Sequence, residues 1–258
     1  MTRIDINSDM GERPEALRDG SEEALMRCIT SANIACGVHA GDDSTMEALV
    51  SMAKRNGVSA GAHPSFPDRE NFGRLEMKLR PEEIEQCVFN QVKRLAEIAK
   101  LQHVELRHVK PHGALYNVAV HDVHIAEAIA RGVGRCDKSL IMFGLAGSKM
   151  IDVWRNLRMR VAGEAFADRS YESNGSLRSR KFHDALITDP EEAAQRAILI
   201  ARDGRVKAVD GTMLSLHPDT ICIHSDTPNS TSIAGAVRRA LEGAGISISS
   251  LPNSSSGN

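Results

Sequence analysis

Short apolar runs alternate with longer helical patterns from one end of the chain to the other. The runs that predict strands are RIDINSD, ANIACGVH, GVSAGAHP, VELRHVKPH, SLIMFGL, MRVAGEAFAD and TICIHSD. Between them lie segments with helical spacing of apolar residues, such as DDSTMEALVSMAKRNG and TDPEEAAQRAILIARDG. This alternation is typical of parallel β/α units.

Unusual polar residues fall at the carboxyl ends of the predicted strands or in the loops just after them. In a (β/α) barrel these ends meet on one face, whereas an open doubly wound sheet gathers ligands at one switch point. At least six strand ends carry such residues, which favours an α/β fold with a TIM-like (β/α) barrel. No linker or repeat divides the chain, so we predict a single barrel domain over residues 1–250 and a flexible tail over 251–258.

Composition narrows the classes of function. The 258 residues are 41% hydrophobic and 26% charged, with a formal net charge of -2, so no basic field favours nucleic acid or an anionic membrane. Five widely spaced cysteines are typical of reduced thiols. No apolar run approaches the length of a membrane span, and we expect a cytoplasmic protein. A homo-oligomer is compatible with this composition.

The first predicted strand carries Asp5, Asn7 and Asp9 at alternate positions. Side chains two residues apart point to the same side of a strand, so all three are expected to face one cavity. An isolated D-x-N-x-D is more often an aspartate-rich turn, but here the alternation begins inside the strand. We therefore take these three residues as site candidates.

Later strand ends supply the other candidates. The stretch VKPHGALYN interrupts the fourth strand with Lys110 and His112, followed by Asn117. A histidine directly before a proline, as at His63, sits on a restricted, extended backbone. The remaining candidates are Asn33, His39, Asp68, Glu164, Asp168, Arg169, His224 and Asp226.

Two kinds of chemistry fit this set. Histidines and aspartates from several strands could form an open metal centre, with His39, His63 and His112 as its histidine ligands, although no H-E-x-x-H pair is present. The same residues could instead form an acid–base and hydrogen-bonding site. A serine nucleophile elbow, a G-x-G-x-x-G fingerprint and a P-loop are all absent from the sequence.

Six segments in order, IDINSDMGE, ANIACGVHAGD, GAHPSFPDRENFGR, VKPHGALYN, EAFADRSY and ICIHSDT, resemble the LamB/YcsF family. The resemblance implies a distorted seven-stranded barrel of the glycoside hydrolase/deacetylase type. It also implies ATP-dependent opening of 5-oxo-L-proline to L-glutamate together with 5-oxoprolinase subunits B and C, which would use the ATP. The chain departs from the family at Ser225, where a glycine is usual.

A mechanism consistent with this resemblance assigns roles to the candidates. Asp9 or Asp5 would activate water, and His112, His63 or His39 would polarise the reacting group or return a proton. Lys110 and Arg169 would hold a carboxylate or phosphoryl group, and the other candidates would contact substrate. Two alternatives remain open: a metal-dependent deacetylase or amidohydrolase, with a divalent metal, and a non-catalytic protein that only binds a small carboxylate.

Overall fold

The alternating pattern folds as a closed barrel of parallel strands surrounded by helices. The structure is a computed structural model and describes residues 2–252. The strands are β1 (Arg3–Met10), β2 (Ser31–Ala35), β3 (Ser59–His63), β4 (His108–Val109), β5 (Ile141–Leu145), β6 (Arg160–Phe166), β7 (Arg205–Lys207), β8 (Met213–Ser215), β9 (Thr220–Cys222) and β10 (Ser247–Ile248). The helices are α1 (Pro14–Asp19), α2 (Ser21–Met26), α3 (Asp43–Asn56), α4 (Pro81–Leu101), α5 (Gly113–Ala119), α6 (Val123–Cys136), α7 (Lys149–Asn156), α8 (Pro190–Asp203) and α9 (Ser230–Gly243).

The barrel confirms the predicted fold class. Its strand order is β1-β2-β3-β4-β5-β6-β9, and parallel pairing of β9 with both β6 and β1 closes it. Every run that predicted a strand contributes to this barrel. The C-terminal β10 pairs with the start of β1, and β7 and β8 form a separate antiparallel hairpin that the pattern did not predict.

Residues beyond the barrel only partly fall within the structure. Leu251 packs against Ile141 and Phe143, and Arg160 Nη2 donates to the carbonyl of Pro252 at 2.7 Å. Residues 253–258, most of the predicted flexible tail, lie outside the described part of the chain. The division of the chain at residue 250 therefore stays a prediction.

Capping residues set where several helices begin. Asp42 Oδ1 accepts a hydrogen bond from the backbone N–H of Thr45 at 2.8 Å and so caps α3. Asp189 caps α8 in the same way, through the N–H of Glu192 at 2.8 Å. The apolar faces of the helices then cover the barrel. For example, Trp154 of α7 is fully buried, and its indole N–H donates to the carbonyl of Ala126 in α6 at 2.9 Å.

The inside of the barrel is polar in place of the apolar layers common in such folds. Asn7 Nδ2 donates to Glu164 Oε1 at 3.0 Å and to Thr220 Oγ1 at 2.8 Å, so three strands are joined through one side chain. Asn33 Oδ1 accepts from His108 Nε2 at 2.8 Å. Because these buried polar groups are paired with one another, the network supports the strand ends above it.

None of the helices between residues 2 and 252 is both long and apolar enough to cross a bilayer.

Candidate active site

A cavity of about 1170 Å³ opens at the carboxyl ends of the barrel strands. Its floor is formed by residues at the ends of β1, β3, β4 and β6, and its rim by the loops after β3, β6 and β9. The floor residues that carry charge or protons are Asp9, Glu12, His63, Lys110 and His112. The cavity therefore lies on the face where residues from many strands meet.

Lys110 is the central cation of the floor. Its Nζ lies 3.0 Å from Asp9 Oδ1 and 2.9 Å from Glu164 Oε1, and all three side chains are buried. Burial acts to raise the pKa of Asp9, but the charges of His63 and Lys110 outweigh it and hold that pKa well below its usual range. Burial acts to lower the pKa of Lys110. The neighbouring anions, of which Asp9 has the largest effect, outweigh burial and keep this pKa well above the usual value. The pair is therefore ionised across the physiological pH range.

Glu12, His63 and His112 form a second group beside this ion pair, which we call the Glu12–His63–His112 cluster. His112 Nδ1 lies 3.0 Å from both His63 Nε2 and Glu12 Oε1, and His63 Nε2 lies 3.6 Å from Glu12 Oε1. Burial acts to lower the pKa of His63, but Asp9 and Glu12 outweigh it and raise the pKa to about 9. The cluster thus favours positive charge at its centre.

Backbone carbonyls fix the outer nitrogens of both clustered histidines. His63 Nδ1 lies 2.7 Å from the carbonyl of Lys110, and His112 Nε2 lies 2.8 Å from the carbonyl of Phe72. A carbonyl only accepts, so each of these nitrogens carries a hydrogen. The inner nitrogens of two neutral rings would then present lone pairs to each other at 3.0 Å. A cation, either a proton or a metal ion, has to lie between them.

His39 contacts Glu12 and His112 of the cluster but does not line the cavity. Its Nε2 lies 3.1 Å from Glu12 Oε1, and its ring stacks on that of His112 with centroids 3.9 Å apart. Burial lowers the pKa of His39 to about 4, so the neutral ring donates to Glu12 through Nε2. His39 Nδ1 has no hydrogen-bond partner within residues 2–252.

Arginines line the rim of the cavity. Asp226 pairs with Arg74 and also accepts from Arg180 at 2.8 Å and 3.2 Å. Arg169 is only 8% exposed, and its guanidinium donates to the carbonyls of Arg178 and Ala185 and pairs with no carboxylate in the described part of the chain. Burial, followed by the charge of Arg180, lowers the pKa of Arg169 to about 10. A buried guanidinium in such surroundings favours an anionic ligand.

Asp168 orients His224 at the same rim. Its carboxylate accepts from the backbone N–H of His224 at 2.9 Å, and its Oδ1 lies 3.0 Å from His224 Nδ1. Thr227 Oγ1 also donates to it at 2.6 Å, while the imidazole stacks on Phe166. Asp168 itself is fully buried, so it positions His224, whose ring lines the cavity.

Comparison with known proteins agrees with this architecture. The sequence profile of the LamB/YcsF family matches residues 4–256.

The chain belongs to the LamB/YcsF family.

This LamB/YcsF protein has close relatives along nearly its whole length. It is 48% identical over 248 residues to the A subunit of 5-oxoprolinase from Chloroflexus aggregans, covering 96% of this chain and 98% of that one. It is 44% identical to the corresponding 5-oxoprolinase chain of Pyrococcus furiosus, covering 95% and 96%. Among solved structures, a lactam utilization protein from Thermus thermophilus superposes with a TM-score of 0.88 at 40% identity, covering 96% and 100%.

The structure of this LamB/YcsF protein separates the predicted site residues into two groups. Those that line the cavity are Asp9, His63, Lys110, His112, Asn117, Arg169, His224 and Asp226. The others lie behind or below them: Asp5, Asn7, Asn33 and Glu164 inside the barrel, His39 behind Glu12, Asp168 behind His224, and Asp68 in the loop after β3. Their roles in catalysis and binding remain predictions.

Asp5, one of the two predicted water-activating bases, does not line the cavity. Hydroxyls of Thr30, Ser31 and Thr220 donate to its carboxylate, and the side chain is fully buried below the cavity. Burial raises its pKa despite these hydrogen bonds. Asp68 has a comparable local role, because it accepts hydrogen bonds from Asn71 and Leu75 within its own loop.

Three residues that are not among the predicted candidates also contact the site. Glu12, which follows the first strand, contacts three histidines. The hydroxyl of Tyr116 donates to Glu164 Oε2 at 2.9 Å. Cys222 is a core residue, and its Sγ lies 3.0 Å from Lys110 Nζ. Ser225, the departure from the family pattern, is buried without a positive φ angle, so this loop accommodates a side chain.

Proposed function

We propose that this chain is the A subunit of an ATP-dependent 5-oxoprolinase, which opens the lactam of 5-oxo-L-proline to give L-glutamate together with subunits B and C. The observation that carries the proposal is the juxtaposition of the ionised Asp9–Lys110 pair with the Glu12–His63–His112 cluster beneath an arginine rim. The names of the relatives, which describe a 5-oxoprolinase chain and a lactam utilization protein, support the same reaction.

The lactam is a stabilised amide, so its hydrolysis needs assistance at the carbonyl oxygen and at the leaving nitrogen. Phosphorylation of the oxygen with ATP, by the partner subunits, would make the carbonyl carbon more electrophilic. Water would then add to that carbon, the C–N bond would break with a proton delivered to nitrogen, and a second water would hydrolyse the resulting acyl phosphate to glutamate and phosphate. The positive charge held between His63 and His112 faces the cavity and stabilises the negative charge that develops on oxygen. This cluster is therefore the electrophilic part of the proposed site.

Asp9 is the proposed base for the attacking water. Its carboxylate is ionised and lines the cavity, with Lys110 and Asn33 fixing its Oδ1 at 3.0 Å and 2.8 Å. A low pKa makes Asp9 a weak base in isolation, so in this proposal Asp9 orients the water and accepts its proton only as the electrophile activates the carbonyl carbon and the attack proceeds. Positioning of this kind supplies a large part of an enzymatic rate.

In this proposal, Arg169 binds the carboxylate of the substrate. Lys110 was the other predicted cation, but its ammonium already contacts Asp9, Glu164, Asn7 and Cys222. The guanidinium of Arg169 pairs with no such anion among residues 2–252 and lies at the rim of the same cavity. A carboxylate there would leave the lactam ring directed towards the floor.

Reconstitution tests this proposal. Glutamate formation from 5-oxoproline and ATP would be measured with the chain alone and with subunits B and C, and we expect product only from the full mixture. Asp9→Asn should lower turnover by about 10²- to 10⁴-fold, whereas Asp152→Asn on the exposed surface of α7 should not.

The outcomes that contradict the proposal are equally specific. Full activity of both Asp9→Asn and His112→Ala would exclude the assigned roles. Hydrolysis of acetylated sugars by the isolated chain would favour the deacetylase alternative. Binding of 5-oxoproline without any contribution to turnover would favour the non-catalytic binding protein.

A further inference from the structure

We propose that the cation between His63 and His112 is a single divalent transition-metal ion, with Zn²⁺ the best match, bound by Glu12 Oε1, His63 Nε2 and His112 Nδ1. All three residues are buried and all three line the cavity. Binding of this ion can be measured on the isolated chain, without ATP, partner subunits or turnover.

The orientation of the two histidines supports a metal ion. Metal-bound histidines almost always donate their outer N–H to a carbonyl or carboxylate, which fixes the tautomer and the ring. His63 donates in this way to the carbonyl of Lys110, and His112 to the carbonyl of Phe72. Each inner nitrogen is thereby prepared as a lone-pair donor. His63 ends β3, and His112 lies in the short connection between β4 and α5.

The spacing of the three donor atoms also fits. Nitrogen and oxygen ligands about 2.0–2.1 Å from a tetrahedral Zn²⁺ lie about 3.3 Å from each other. The separations here are 3.0 Å, 3.0 Å and 3.6 Å. Closely spaced lone pairs repel one another, and an ion at their centre would turn that repulsion into attraction.

The surroundings of the cluster complete the ligand environment. His39 Nε2 donates to the same oxygen of Glu12, which orients the carboxylate, and Asp9 Oδ1 lies 3.5 Å from His63 Nε2. Two imidazoles and a carboxylate are borderline ligands that suit Zn²⁺ and its neighbours better than Ca²⁺ or Mg²⁺. The cavity side of the cluster leaves room for a water or substrate oxygen, as in sites with three protein ligands. In the proposed reaction such an ion would polarise that oxygen.

Metal analysis of the isolated chain tests the inference. The purified protein would be stripped with a chelator, loaded with Zn²⁺ or Co²⁺, dialysed and analysed for metal, and we expect about one ion per chain. The Co²⁺ form should show the visible absorption of a site of low coordination number. Glu12→Gln and His112→Ala should each lower affinity by more than about 10-fold, while His183→Ala, which removes an exposed histidine, should retain it.

Circular dichroism would show whether each variant is folded. If a variant fails to fold, the wild-type stoichiometry and Co²⁺ spectrum still decide. Absence of bound ion in the wild type, or an unchanged affinity in folded Glu12→Gln and His112→Ala, would overturn the inference and leave a proton between the rings. Either result is independent of glutamate formation, so a failure of the metal site and a failure of the proposed reaction remain distinguishable.

Discussion

Lys110 Nζ lies 3.0 Å from Asp9 Oδ1, and both side chains are buried beneath the cavity. The same ammonium lies 2.9 Å from Glu164, so one cation faces two carboxylates. Breaking a buried pair by removing one partner is costly because the remaining charge loses both its solvent and its counterion. Lys110 therefore affects stability as well as chemistry.

Replacement of this cation tests that dual role. Lys110→Met should lower the free energy of unfolding by about 3–5 kcal/mol, because the buried carboxyl groups of Asp9 and Glu164 lose the ammonium that lies 3.0 Å and 2.9 Å from them. Urea unfolding at pH 7 would measure the loss. Lys93→Met, which removes an exposed i,i+4 ion pair, is the matched control and should change stability by less than about 0.5 kcal/mol. Equal losses in the two variants would contradict the interpretation.

Removal of the rim cation should weaken substrate binding. Arg169→Gln should raise KM for 5-oxoproline by about 10- to 100-fold, the equivalent of one charge-assisted hydrogen bond, with a smaller change in kcat. Steady-state kinetics of the reconstituted complex would measure both constants. Arg205→Gln, on the exposed hairpin strand β7, provides the control. An unchanged KM would show that the carboxylate binds elsewhere.

Glu22 should make stability depend on pH. Its carboxyl is buried behind Gly11, whose N–H donates to it, and burial raises its pKa to about 7. The folded state therefore binds a proton that the unfolded chain releases near pH 4.5, so the contribution of Glu22 becomes unfavourable as pH rises from about 4.5 to 7.

Glu22→Gln removes this titration and keeps an acceptor for the N–H of Gly11. The free energy of unfolding of the variant, taken relative to wild type, should rise by about 1–3 kcal/mol as the pH is raised from 5 to 8. Urea unfolding at both pH values would measure the difference, with Glu23→Gln at the neighbouring, more exposed position as the control. The interpretation is wrong if the difference in unfolding free energy between Glu22→Gln and wild type is the same at pH 5 and pH 8.

Gly113 is required by the close approach of two loops. It has a φ of +55°, and a Cβ atom at this position would lie 2.6 Å from the carbonyl oxygen of Gly73. Gly113→Ala should therefore cost about 1–3 kcal/mol and reduce turnover, because His112 is the preceding residue. Thermal unfolding and kinetics would measure the two effects. Gly243→Ala, with open space around the new methyl group, should be neutral or stabilising.

The alternation of polar residues in the first strand predicted which face of the strand they occupy, but not how far along the barrel axis each residue lies. Asp5, Asn7 and Asp9 all point into the barrel, yet a strand rises about 3.3 Å per residue, which places Asp5 about 13 Å from Asp9. Asp5 consequently meets hydroxyl groups deep in the barrel, whereas Asp9 reaches the cavity. A two-residue repeat identifies the face of a strand on which a side chain lies. The position of each residue along the barrel axis depends on how the strands pair.

Residues outside regular strands could not be placed from sequence. Glu12 enters the cluster because the chain turns at Gly11, which has a φ of +80°, and no periodic pattern carries that information. Arg180 reaches Asp226 across 46 positions through a loop held by irregular hydrogen bonds. The short helices α1, α2, α5 and α7 were missed for a related reason, since they have few turns in which to show a helical pattern.

Closure of the barrel between β1 and β9 has a consequence for the order of assembly during synthesis. Asn7 reaches its partner Thr220 across 213 sequence positions, and Lys110 reaches Cys222 across 112. Contacts this distant in sequence form late, because the intervening chain has to lose its conformational freedom first. A nascent chain that has emerged only as far as α8 lacks β9, so the contacts of Asn7 with Thr220 and of Lys110 with Cys222 cannot yet form. These parts of the polar network are completed only after the last barrel strand has docked.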